Sequence, residues 1–433
     1  MIALIGFVTI TAIVVLIMEK IMDPVPALIL VPVAAAVVAG FGWQTGDFVL
    51  KGMIMVAPVG VMLMFATLFF GAIVDTGAIK PLIHLIIRVV GTDPVKICVG
   101  TGILAMIAHL GASGAVTFLI IVPAMLPIFD ALSMRRTTLA TIVALSSGVV
   151  NTEPWAGPAQ RCMISLNLTQ SELWFPLVFP LIIGAISILA VDSYLGLQER
   201  KFMNKEGLAM TSFQFLDTAT AEEKRLERPR LNAVNLIAVA ITIGILISGK
   251  ISPAVTFMIA TAVALLINFP NVDDQKKIIS RHSKESLLMS CIVFATGSLV
   301  GVMNETGMIQ AMAQAIVAVV PTSLGQHMAL LVGILATPAS LLFDPSSFYF
   351  GVLPVLAQAG TTYGVSIAET ARAALLGEMT MGFSISPLTG STFLLVALAG
   401  IDLGEHQKKT FPWAFGITLI MLAVSIAIGV VAA

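Results

Sequence analysis

Residues 109–126 read HLGASGAVTFLIIVPAML and residues 340–357 read SLLFDPSSFYFGVLPVLA. Each is an apolar run interrupted by a few small or polar residues, Gly111–Thr117 in one and Asp344–Ser347 in the other. Ser113 and Asp344 are each followed ten residues later by a proline, Pro123 and Pro354. A helix interrupted inside an apolar run leaves backbone N–H and C=O groups without partners. In hydrocarbon that is tolerated only where the break is buried in protein or lines a polar cavity. These two breaks therefore imply a cavity, provided the chain is embedded in a membrane.

Composition says that it is. The 433 residues are 58% hydrophobic and 11% charged, with mean hydropathy +1.01, whereas a soluble domain carries about 25% charged residues. The chain is an all-α polytopic membrane protein, with apolar runs near 2–18, 24–41, 53–74, 95–110, 114–129, 137–150, 155–168, 175–197, 232–248, 253–269, 287–304, 328–343, 347–359, 369–381, 387–400 and 412–432. The first run lacks a basic leader and a small-residue cleavage site, so it is expected to be a retained helix. A net charge of −1 gives no sign of a nucleic-acid partner. Cys98, Cys162 and Cys291 are scattered in apolar segments and read as small hydrophobes.

One segment differs. Residues 198–231 hold seven Lys/Arg and six Asp/Glu, and divide the chain into halves 1–197 and 232–433 joined by a cytoplasmic linker. GAIVDTGAI (71–79) matches GVMNETGMI (301–309), which puts Asp75 against Glu305. The two opening stretches match next, then Gly157-Pro158 with Ser386-Pro387, at offsets of 230, 231 and 229 residues. Three matches in order at a nearly constant offset mark a duplication. Lys and Arg cluster at Lys20, Lys80–Lys96, Arg135-Arg136, the linker, Lys276–Lys284 and Lys408-Lys409. All fall on one side of the membrane if 95–129 and 327–359 are re-entrant hairpins entering from opposite faces; Lys51 and Lys250 are the exceptions. Each half is then five transmembrane helices plus one re-entrant hairpin, the halves are inverted repeats, the broken helices meet at the midplane, and both termini lie outside. Inverted repeats with broken helices characterise secondary transporters.

Four helix starts share a local pattern: Ser113-Gly114, Gly157-Pro158, Asp344-Pro345 and Ser386-Pro387. Small or polar caps followed by proline suit a helix N-terminus, and converging N-termini suit an anion. The candidate substrate ligands are Ser113, Gly114, Ala115, Thr117, Asn151, Thr152, Gly157, Ser346, Ser347, Ser384, Ser386 and Thr389. Asp344, Glu153 and His109 are the candidates for a coupling ion, because ionisable groups inside spans are costly and functional by default. Blander readings compete. The GASGA patch also suits helix packing, Asp344 a cap, Glu153 an ion pair with Arg161, and His109 a satisfied buried imidazole. Arg161, His109 and Arg372 are the candidate cationic groups for substrate carboxylates.

The stretches VGTGILAMIAHLGASGAVTFLIIVPAMLPIF, GVVNTEPWAGPAQR, NFPNVDDQ, SLLFDPSSFYFGVLPVLAQA and ALAGIDLGEHQ resemble the CitMHS family of citrate transporters, over nearly the whole chain. The resemblance implies an inner-membrane importer of citrate or a related di- or tricarboxylate, with protons as coupling ion. Through the family's sodium-coupled dicarboxylate relatives it also implies a homodimer, elevator motion, and substrate and cation held at hairpin tips. Ser113-Gly114-Ala115 and Asp344-Pro345-Ser346 stand where those tips would be. The family's first tip is acidic and this one is not, which disfavours a divalent metal carried with the substrate. No resident cofactor is expected, only a coupling proton or sodium ion, with lipid as the surrounding partner. An alternative within the same superfamily is a cation/proton antiporter using Asp344 and Glu153. A remote alternative is an intramembrane serine protease, since Gly111-Ala112-Ser113-Gly114 matches GxSG. Otherwise no enzymatic activity is expected.

Overall fold

The computed structural model describes all residues except 20, 79–90, 111–113, 207–224, 249, 320 and 344. The tip residues Ser113 and Asp344 therefore lie outside the described residues, as does the side chain of Ala115.

The described chain is helical. Its first half holds α1 (Ile2–Met18), α2 (Pro24–Val38), α3 (Thr45–Asp75), α4 (Pro94–His109), α5 (Gly114–Ala131), α6 (Arg136–Val150), α7 (Gly157–Leu166) and α8 (Val178–Glu206). Its second half holds α9 (Asn232–Ser248), α10 (Pro253–Asn268), α11 (Val272–Glu305), α12 (Met308–Val317), α13 (Met328–Ala339), α14 (Leu353–Thr361), α15 (Ile367–Leu375), α16 (Gly390–Ala399) and α17 (Leu403–Ala427). A π-helical turn, Ser347–Val352, leads into α14. Five described helices, within 42–75, 170–203, 229–246, 286–305 and 403–427, are long and apolar enough to cross a membrane. Several of the others are short, and a break in the chain separates them in pairs: α4 from α5, α6 from α7, α13 from α14 and α15 from α16.

Helix starts follow the local chemistry where aspartate precedes proline. Asp23 Oδ1 accepts from Val25 N at 3.1 Å and Asp93 Oδ1 from Val95 N at 3.0 Å. Each meets one orphan donor of the first turn. The helix α7 begins at Gly157 with Ala156 at the cap, one residue earlier than a glycine cap would give. The last expected start needs correction. Ser386-Pro387 does not open a helix. Ser386 Oγ accepts from Leu388 N at 3.1 Å and turns the chain, so α16 starts at Gly390 after an extended Thr389.

The centre of one side of the molecule is the antiparallel crossing of α3 and α11, with α10 against α3 and α2 against α11. Small residues set its closeness. A Cβ added to Gly52 would strike the Gly297 carbonyl oxygen and stand 2.8 Å from Gly301 Cα. At the other end, a Cβ on Gly71 would meet the His282 ring at 2.6 Å. Polar contacts close both ends: Lys51 Nζ to Glu305 Oε2 at 2.6 Å, and His282 Nε2 to Asp75 Oδ2 at 2.9 Å. Both helices then stop at a glycine in the left-handed region, Gly77 at φ +72° and Gly307 at φ +71°, the usual helix terminator. The matched Asp-Thr-Gly and Glu-Thr-Gly are therefore stop signals, and each acid finds a cation on the other helix, Lys51 for Glu305 and Arg281, at 3.8 Å, for Asp75. Helices α4–α8 and α13–α17 form the other side, where α4 packs on α6 and α8, α13 on α15 and α17, and α5 on α16.

Candidate functional site

A cavity of about 380 Å³ lies where these two sides meet. It takes Gly114 and Val116 from the start of α5, and Pro345 from the second hairpin. Asn151, Trp155, Gly157 and Pro158 come from the break between α6 and α7; Met379, Phe383, Thr389 and Ser391 come from the break before and at the start of α16. The crossing helices supply an apolar wall including Leu63, Phe70 and Val74, together with His282. Arg161, one turn into α7, is the cation among the lining residues whose charge does not depend on pH. The volume falls in the range of small-molecule sites, and a few polar groups on an apolar lining is their usual composition.

Hydrogen bonds tie the two breaks together. Asn151 Nδ2 donates to the Met379 carbonyl at 2.7 Å, which leaves Asn151 Oδ1 facing His109 Nε2 at 3.2 Å. An amide oxygen only accepts, so His109 carries its proton on Nε2, and Nδ1 accepts from Thr117 Oγ1 at 3.0 Å. Met379, at φ +49°, sits in the left-handed region that a non-glycine residue rarely adopts. It is held from both sides, because its N–H donates to Ser340 Oγ at 3.0 Å while Ser340 Oγ donates to Glu378 Oε2 at 3.0 Å. A buried polar chain thus runs from α5 through His109, Asn151, Met379 and Ser340 to Glu378, crossing from one half to the other. Trp155 Nε1 donates to the Leu110 carbonyl at 3.0 Å and pins the first break to the arm of the first hairpin.

Of the residues expected from sequence, Gly114, Asn151, Gly157 and Thr389 line the cavity. Others are buried close by with their polar atoms committed. Thr152 Oγ1 donates to the Val149 carbonyl at 2.6 Å, Ser384 Oγ to the Ala144 carbonyl at 3.2 Å, and Ser386 serves its own turn. Ser346 and Ser347 are buried in and beside the π-helical turn. Thr389 Oγ1 donates to the Phe383 carbonyl at 2.7 Å. His109 has both ring nitrogens bonded within the protein. Glu153 makes no ion pair with Arg161. It is buried with neither carboxylate oxygen hydrogen-bonded among the described residues. Arg372 is away from the cavity, donating to the Glu172 and Val430 carbonyls. Sequence reasoning did not single out His282, Gln160, Glu378 or Asp192. For the two acids a signal existed, since each is a lone carboxylate inside an apolar run. Among the described residues there is no group of three or more His, Cys, Asp or Glu able to hold a metal ion.

An all-helical membrane protein whose interrupted helices converge on a polar cavity belongs to the class of transporters. Solved structures agree on the fold. The Alcanivorax borkumensis YdaH transporter superposes with a TM-score of 0.62, at 15% identity and 88% coverage of both chains. Neisseria gonorrhoeae MtrF superposes with a TM-score of 0.56, at 15% identity over 88% of this chain and 83% of that one. The family model for CitMHS, citrate transporter, matches residues 13–377. Two Bacillus subtilis (strain 168) proteins align over the full length of this chain: a citrate transporter, 40% identical over 431 residues and all of its own length, and a Mg(2+)/citrate complex secondary transporter, 35% identical over 432 residues and 99% of its length. The chain belongs to the CitMHS family of citrate transporters.

Proposed function

We propose that this protein is a proton-coupled secondary transporter that imports citrate or a closely related di- or tricarboxylate across the cytoplasmic membrane. The observation that carries the reading is the cavity itself, where two helix starts and two chain breaks from separate halves surround one permanent cation, Arg161. Arg161 binds a substrate carboxylate, and the N–H groups at the start of α5 and α7 receive others. A cation in the lining argues against the antiporter alternative, in which the same cavity would hold a metal cation. Glu153, buried beside the cavity without hydrogen-bond partners among the described residues, carries a proton as the substrate is carried. The two halves act as inverted repeats. The matched helix order, the reciprocal contacts of α3 with α11 and the twin glycine stops support this. The side containing α4–α8 and α13–α17 moves as an elevator against the α3–α11 side, in a homodimer.

The test is citrate uptake into proteoliposomes under an imposed pH gradient. Wild type should accumulate citrate supplied near its KM, and Arg161→Gln should accumulate far less at that concentration. Absence of uptake by a folded wild-type protein, or wild-type uptake by Arg161→Gln, overturns the reading. Adding Mg²⁺ separates free citrate from its metal complex as cargo, since uptake of the free anion falls when Mg²⁺ binds it.

A further inference from the structure

The search for chemistry outside the cavity ends at Asp192, in the middle of α8. Its side chain is fully buried, and neither carboxylate oxygen is hydrogen-bonded among the described residues. It faces α4, the first arm of the hairpin, at Gly102. A Cβ added there would fall on Asp192 Oδ2 and stand 3.0 Å from Ser146 Oγ of α6, itself buried without a hydrogen-bond partner. Three helices therefore close on one acid and one hydroxyl, with a glycine where any side chain would collide.

The duplication provides an internal control. At the matching place in the second half, a Cβ on Gly333 of α13 would meet Leu422 of α17 at 2.7 Å. Leu422 is the counterpart of Asp192 at an offset of 230 residues. The packing position needs an apolar side chain, and the first half places an acid there.

Nothing nearby neutralises a carboxylate. The elements packed on α8 are α4, α6 and α17. They offer Cys98 on α4, Arg135 at the start of α6, and His406 and Lys409 on α17; Glu199 lies farther along α8 itself. Arg135 Nε pairs with Glu199 Oε1 at 2.8 Å, Lys409 Nζ donates to Thr138 Oγ1 at 2.5 Å, and His406 Nε2 bonds with the Ser384 carbonyl at 2.9 Å. Among the described residues, each of these basic groups is committed elsewhere. An isolated ionised carboxylate in such surroundings is prohibitively costly, and the group neutralises instead. Sodium would need a shell of several oxygens, whereas the close approach of Gly102 leaves room for a proton.

We propose that Asp192 is a second protonation site, behind the first hairpin and separate from the substrate cavity, which takes up and releases one proton in each transport cycle. It rests on the proton-coupled reading above. An anion of several negative charges moved inward against the membrane potential needs more than one accompanying proton, and Glu153 and Asp192 are two carboxyls without hydrogen-bond partners on the moving side.

The test has two arms on the full-length protein. In proteoliposomes, the pH gradient that just balances a citrate gradient gives the proton-to-citrate ratio. Asp192→Asn and Asp192→Leu should each lower it by one proton while citrate/citrate exchange persists. The leucine variant copies the packing of Leu422 and should fold if the amide does not. An unchanged ratio in either folded variant overturns the proposal. The second arm is infrared difference spectroscopy of the purified protein, which needs no transport. Wild type should show a carboxylic acid C=O band that vanishes in both variants and shifts in Ser146→Ala. A spectrum unaltered by all three substitutions overturns the proposal, and failure of wild type to carry citrate overturns only the reading beneath it.

Discussion

Under the proposed duplication, the crossing of α3 with α11 and the cavity beside it differ in how closely their two halves match. In the crossing, offset partners perform the same task. Gly52 meets Gly301 as His282 meets Gly71, and Lys51 meets Glu305 as Arg281 meets Asp75. Around the cavity, partners at the matched offsets differ in chemistry: Arg161 stands against Gly390, Glu153 against Gly382, His109 against Ser340, Asn151 against Thr380, and, by the contacts of Gly102 and Gly333, Asp192 against Leu422. A crossing of two long helices is satisfied by the same kinds of contact at either end, a glycine close approach and an ion pair. A site for one asymmetric anion is not, so the charged groups Arg161 and Glu153 stand in one half against neutral residues in the other. Glu378 with Ser340 is the exception, a polar pair that the second half holds.

The largest expected effect breaks the symmetric region. Gly52→Leu would drive a branched side chain into the Gly297 carbonyl and the Gly301 backbone. Overpacking costs about 1–3 kcal/mol, and more where the obstacle is backbone that cannot move aside. The variant should be recovered mainly as aggregate on size-exclusion chromatography. A monodisperse Gly52→Leu with wild-type thermal stability would show that the crossing is looser than its glycines imply.

The next acts on the asymmetric region. Arg161→Gln removes a charge-assisted bond to substrate, a loss of about 1.5–3 kcal/mol, which corresponds to a roughly 10- to 150-fold rise in KM for citrate. The converse variant, Ser391→Arg, tests whether the second half can hold the cation instead. Paired with Arg161→Ser, it should not restore transport, because the N–H groups and the apolar wall are arranged around one location of charge.

The third concerns the bonds between the halves. Asn151→Ala leaves the Met379 carbonyl and His109 without their partner. A buried polar group left unpaired costs about 1–3 kcal/mol, so the unfolding midpoint should fall in a differential scanning fluorimetry experiment. Met379→Gly should instead be tolerated at the backbone, since glycine accepts φ +49° without strain. If Asn151→Ala melts with wild type, the polar chain is not structural.

The two regions were also unequally legible in the sequence. Apolar runs at 2–18 and 232–248 coincide with α1 and α9, because hydrocarbon permits only helices whose backbone groups are satisfied internally. Residues 272–286 extend α11 well before the run expected at 287–304. They are charged and invisible to hydropathy, yet continue the same helix beyond the apolar stretch. The breaks were legible from Gly157-Pro158 and Pro345, and α5 starts at Gly114. The start of α16 was misplaced because Ser386 spends its oxygen on a turn. What single-sequence pattern could not supply was pairing in space. Asp75 looked unfavourable at a helix end until His282 came into contact, and Thr152, Ser384 and Ser386 looked like ligands until their hydroxyls were found on local backbone groups.

The smallest expected effect falls at the rim of the crossing, and it tests whether the reciprocal pairing carries weight. Lys51 and Glu305 are both partly exposed. Such a pair contributes about 0–1 kcal/mol, and salt screens it further. Lys51→Glu should lower the unfolding midpoint slightly through like-charge repulsion, and Lys51→Glu with Glu305→Lys should restore it. Both changes should shrink in high salt, while the loss in Gly52→Leu should not. A double variant that stays as unstable as the single one would mean that Lys51 acts through something other than Glu305. The mirrored acids at 75 and 305 would then be incidental to the glycine contacts between them.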